Sequence, residues 1–170
     1  MKKKTISLAV VGLVAVTVAA TVMGQGRPSP DQQAVGFRQG LMTVINNVAG
    51  PMQLMQRGRM PYDAKTVERN AQELATLAEI IPQAFEHDTS SASGLKTGAL
   101  PVVWQNHDEF LMKAQNLRTE ARKLETAAKG GDEDAVKSAI MSTGEACGQC
   151  HMMFRAKPPG RGGGGGGGAR

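Results

Sequence analysis

From about residue 31 onward, apolar side chains recur at steps of three and four, the period of a helix that buries one face. Phe110, Ala114, Leu117, Ala121 and Leu124 step by four, three, four and three, the seam of a packed helix bundle. Leu74, Leu77, Ile81 and Phe85 follow the same rule, as do Arg38, Met42, Ile45 and Ala49, with a cation at one seam position. The breaks between these runs divide the body into four helices. The first spans about Asp31 to Met55, and Pro51 behind Gly50 predicts a kink or break within it. The second opens at Pro61-Tyr62-Asp63, with Asp63 as N-cap, and reaches about Phe85. The segment from His87 to Gly98, rich in Ser, Gly and Thr, is the one long connection. A third helix from about Pro101 to Lys129 is closed by Gly130-Gly131, and the fourth starts at Asp132. Short turns and a single longer loop predict an all-α, antiparallel, up-down-up-down four-helix bundle.

Composition supports helices over strands, because aromatics are only 4% of the chain while Ala, Leu, Met, Gln, Glu and Lys are plentiful. The two ends read differently from the body. Met1-Lys2-Lys3-Lys4 followed by the apolar run Ile6–Val22 has the form of a secretory signal peptide, here given residues 1–24, with an uncleaved anchor as the alternative. Residues 158–170, with seven consecutive glycines, cannot bury apolar surface and are expected to be a disordered tail. Residues 25–157 are then one domain of about 130 residues, long enough for a single core. The formal charge of +5 includes Lys2, Lys3 and Lys4; without them it is +2, and Arg161 and Arg170 of the tail supply that remainder. A near-neutral body with no basic stripe gives no reason to expect a nucleic-acid partner.

The chemistry is concentrated in Cys147-Gly148-Gln149-Cys150-His151 on the fourth helix. Cys-x-x-Cys-His is the attachment signature of a c-type haem. Positions i, i+3 and i+4 share a helix face, so two thiols for thioether bonds and an imidazole for iron point one way. The cysteines are the only two in the chain. A disulfide between residues three apart would be strained and would stabilise little. A thioredoxin-like pair belongs beside strands, and none is signalled nearby. Zinc would need a further ligand, with only His87 and His107 left as histidines. Haem c, one per chain, is the expected cofactor. Export agrees with it, since such haem is attached outside the bacterial cytoplasm.

In addition to the pentad, Phe37-Arg38-Gln39 with Met42, the run Gly58-Arg59-Met60-Pro61-Tyr62-Asp63, Trp104, and Phe154-Arg155 occur in an order and spacing that resemble the cytochrome c-prime family. The likeness extends from about Phe37 to Lys157. It implies a four-helix bundle with the haem on the last helix, bound covalently to Cys147 and Cys150, with His151 as the proximal iron ligand. The family has a high-spin, five-coordinate branch and a low-spin branch, cytochrome c-556, in which a methionine of the first helix is the sixth ligand. Met42, four residues after Arg38, resembles the low-spin arrangement and is the expected distal ligand. A non-ligating Met42, an apolar gap-filler, is the alternative. The resemblance also implies a haem propionate as partner for Arg38, a lesser haem contact for Gln39, and a basic neighbour of the proximal imidazole in Arg155. Without it, Arg38 would read as a surface cation with a snorkelling stem. Met152 and Met153 are directed away from the ring, the direction of Met52 and Met55 is left open by Pro51, and His87 and His107 are expected in solvent. The expected function is periplasmic one-electron transfer to redox partner proteins, not enzymatic catalysis. Nitric oxide or carbon monoxide binding at a five-coordinate iron is the alternative. The resemblance permits a homodimer through the first two helices.

Overall fold

The computed structural model describes residues 27–157; the expected signal segment and the glycine-rich tail lie outside the described residues. The described residues form α1 (Pro30–Gln56), α2 (Ala64–Ala84), the single turn α3 (Val102–Gln105), α4 (His107–Gly130) and α5 (Glu133–Phe154). The four long helices make the all-α bundle the apolar spacing predicts.

Local chemistry sets their ends. Ser29 and Gln32 form a capping box ahead of α1, with Pro30 in the first turn. Asp63 accepts from the backbone of Lys65 and Thr66 at the start of α2, and Asp132 does the same for Asp134 and Ala135 ahead of α5. Gly131 closes α4 at φ 77°, a conformation that costs a side-chain-bearing residue.

Three expectations change. The first helix does not break at Pro51: α1 runs through it to Gln56, and both Met52 and Met55 turn into the core. Proline removes one backbone donor but leaves the neighbouring turns able to continue. Next to it, Asn70 of α2 donates its side-chain amide to the Val48 carbonyl at 2.9 Å, tying the two helices together there. The third predicted helix is two pieces, because Asn106 leaves the helical conformation between α3 and α4. The cause is tertiary, as the indole of Trp104 donates to the Phe85 carbonyl at 2.9 Å and draws α3 onto the end of α2. His107 is half-buried, not free in solvent; it stacks against Phe110 with ring centroids 6.0 Å apart.

The core follows the predicted seams. All five of the α4 positions are buried, as are Leu74 and Ile81 of α2 and Phe85 at its C-cap. Phe110 lies between Phe85 at 4.6 Å and the edge-on Phe154 at 5.4 Å, so three of the few aromatics lock α2, α4 and α5 at one end. The helices pack as a ring in the order α1, α2, α4, α5. The join between α1 and α5 is the sparse one; the other three adjacent pairs are closely packed.

Candidate functional site

Cys147, Cys150 and His151 lie in the last two turns of α5, on the helix that forms one wall of this sparse seam. Both cysteines are free thiols, half-buried against the core, and His151 is exposed. Burial pushes the Cys147 thiol above its ordinary value. Burial, then the neighbouring Cys147, pushes Cys150 up to about 11, with Lys113 opposing. Thiols so placed stay protonated at neutral pH, the reverse of what a redox-active Cys-x-x-Cys pair requires. Partial desolvation, and after it the cation of Arg155, lowers the pKa of His151 and favours the neutral imidazole, the form that binds a metal. Arg155 follows directly from α5, its backbone N–H bonded to the His151 carbonyl at 3.2 Å.

On α1, across that join, Met42 is half-buried and packed against the core between the buried Arg38 and Ile45. Arg38 is not the snorkelling surface cation that charge alone suggests: it is 3% exposed. Its Nε donates to the Ala84 carbonyl at 3.3 Å, and its terminal nitrogens donate to Thr89 Oγ1 at 3.1 Å and the His87 carbonyl at 3.3 Å. The guanidinium also stands 4.6 Å from the Phe85 ring centre and 5.0 Å from that of Trp104, within cation–π range. Burial lowers its pKa, opposed by Asp88. Sequence reasoning missed this clamp because its partners lie 46 to 51 residues away. The Gln39 amide donates to the Lys96 carbonyl at 2.7 Å.

That bond belongs to a strap closing one end of the seam. Residues 98–100 run antiparallel to the end of α5, with Leu100 N–H donating to the Phe154 carbonyl at 3.0 Å and Ala156 N–H to Gly98 at 2.8 Å. The long connection therefore joins α1, through Gln39, to the segment just after His151. Elsewhere on this end, His87 is exposed and lies 2.6 Å from Asp31. Met152, at 79% exposure, and Met153 are exposed.

These residues fit a covalent haem. Two thiols and one imidazole stand together on α5, and an apolar thioether lies on α1, the helix that α5 meets only sparsely. Among the described residues, no group of three or more His, Cys, Asp or Glu is arranged to hold a metal ion.

Residues 33–155 match the family described as Cytochrome C'. The chain is 35% identical over 124 residues to cytochrome c' of Rubrivivax gelatinosus, covering 73% of this chain and 95% of that protein. It is 32% identical to cytochrome c-556 of Agrobacterium tumefaciens, covering 71% of this chain and 94% of the relative. Cytochrome c prime from Shewanella frigidimarina superposes with a TM-score of 0.70 at 29% identity, over 77% of this chain and 100% of that one. A nitric oxide complex of a mutant cytochrome c prime from Alcaligenes xylosoxidans superposes at 0.67 with 29% identity, over 78% of this chain and 100% of that one. Members of this family are periplasmic, non-enzymatic proteins with one haem c held through Cys-x-x-Cys-His. On its sequence match, its bundle and its pentad, the chain belongs to the cytochrome c' family.

Proposed function

We propose that this protein is an exported one-electron carrier of the low-spin type, with His151 as proximal and Met42 as distal iron ligand. Its support is that Met42, a soft thioether, is half-buried against the core on α1, the helix across the sparse join from α5. Haem iron supplies the ferric–ferrous couple, and the protein sets its potential through ligand identity and burial. The chain's own part is to hold an imidazole and a thioether on opposite walls, so that little reorganises when one electron moves. Thioether ligation favours the ferrous form and raises the potential.

Arg38 serves this site by clamping the loop at the end of the seam. Each of its terminal nitrogens spends one N–H on the loop and carries a second, which can meet a propionate. Gln39 anchors the strap and so borders the same end. Export rests on the Lys-rich, apolar N-terminus; among the described residues, no helix is long and apolar enough to cross a membrane. A homodimer through α1 and α2 would cover Phe37 and Val44, both 47% exposed on α1. Sedimentation would then show a dimer that Phe37→Glu dissociates.

The second reading is a five-coordinate iron that binds nitric oxide or carbon monoxide. Its support is the nitric oxide complex solved for the Alcaligenes relative, together with the packing of Met42 against the core. Absorption spectra of Met42→Ala and the parent decide between the two. The carrier reading expects a low-spin parent with a ferric thioether band in the red, and a high-spin variant that takes up carbon monoxide. Identical spectra would remove Met42 from the iron.

A further inference from the structure

Charge is divided unevenly over the end of the bundle that holds the pentad. No Asp or Glu occurs from Ser90 to Asn106, or from Ala146 to Lys157. The fold ties these two stretches side by side through the Ala99–Arg155 bridge. The strap and its bridge partner thus hold Lys96, Arg155 and Lys157, all exposed, on one strip of backbone at the end of the α1–α5 seam. The acidic residues of this end are elsewhere. Asp31 pairs with His87 at the α1–α2 corner, Glu86 and Asp88 follow α2, and Asp108 and Glu109 sit in the first turn of α4. Beside the cationic strip, Met152 is 79% exposed directly after His151, an apolar contact without a partner in the fold.

We propose that this strip, Lys96, Arg155 and Lys157 with Met152 beside it, is the docking surface for an acidic one-electron protein. Its carboxylates would meet the strip while Met152 supplies the dry centre of the contact. Charge complementarity of this kind steers encounter and orients the partner more than it adds affinity. The orientation matters here, because it brings the partner's centre to the end of the seam where the pentad lies. One electron then leaves the reduced partner and converts ferric to ferrous iron, with no bond made or broken. The proposal rests on the carrier reading for its purpose, but not for its test.

Calorimetric titration of the ferric holoprotein with an oxidised, acidic plant-type ferredoxin moves no electron and reads docking alone. At low salt, Lys96→Glu/Lys157→Glu should weaken binding by about tenfold, and added salt should weaken the parent's binding in the same direction. The control pair Arg59→Glu/Lys65→Glu makes the same change in net charge on exposed positions at the opposite end of the bundle, and should change binding by less than about twofold. Stopped-flow reduction by the reduced ferredoxin should slow in the same order, with the haem spectrum of each variant unaltered. Equal weakening by both pairs, salt-independent binding, or no measurable binding at low salt would overturn the proposal. Loss of the Met42 ligand in the spectra would remove the carrier reading and leave the calorimetric result untouched.

Discussion

Arg38 shows how far one side chain can reach. Its guanidinium spends three directions on Ala84, Thr89 and His87 and rests against two aromatic faces, so shape matters as much as charge. Lysine at this position keeps the charge but not the planar fork. Arg38→Lys should therefore cost about 2–3 kcal/mol in urea denaturation, the scale of losing charged hydrogen bonds in a buried site. Retained stability in Arg38→Lys would mean that a positive charge near a propionate is all the position supplies. The same lesson applies at Asn70, where Asn70→Leu leaves the Val48 carbonyl without its side-chain donor. A loss of about 1–2 kcal/mol is expected there.

At the scale of elements, what could be read in advance was what depends on near neighbours. The seam from Phe110 to Leu124 is buried position for position, and Asp63, Asp132 and Gly131 end their helices by contacts within a turn. The break at Asn106 and the burial of Arg38 were not legible, since both depend on the end of α2 and the loop after it meeting distant residues. The strap was missed for the same reason: nothing local announces that Gly98 and Leu100 will pair with the chain beyond α5. For the site, the pentad was legible because spacing on one helix carries its chemistry. Its setting, beside a sparse helix join closed by a strap, was not. One local device has a pH consequence. The Asp63 carboxyl is held below its ordinary value, first by the Thr66 hydroxyl and then by the Thr66 and Lys65 backbone N–H groups. The cap's stabilisation is therefore present above the ordinary carboxylate range and is lost as pH falls through the lowered value. Asp63→Asn should flatten the acid limb of the melting temperature against pH, while an unchanged limb would assign acid sensitivity to other carboxylates.

For the molecule as a whole, the sparse join between α1 and α5 links stability to cofactor attachment. The α2–α4 and α4–α5 pairs are close-packed, and the Phe85–Phe110–Phe154 cluster holds these three helices together at the pentad's end. The fourth helix of the ring, α1, is tied to α2 by Asn70 and Arg38 but gains little from α5. A chain with so few aromatics has little other apolar bulk, so a covalent porphyrin placed at that join would fill it and tie α1 to α5. A haem-free Cys147→Ala/Cys150→Ala protein should melt lower than the holoprotein by at least about 10 °C, the shift that about 2–3 kcal/mol produces in a domain of this size. Hydrogen exchange should locate the loss, with α1 and the last turns of α5 poorly protected while α2 and α4 keep most of their protection. Equal melting and even protection across all four helices would show that the bundle is complete without its cofactor. The seam would then be a binding site set into an already stable fold, and the haem would contribute chemistry without holding the helices together.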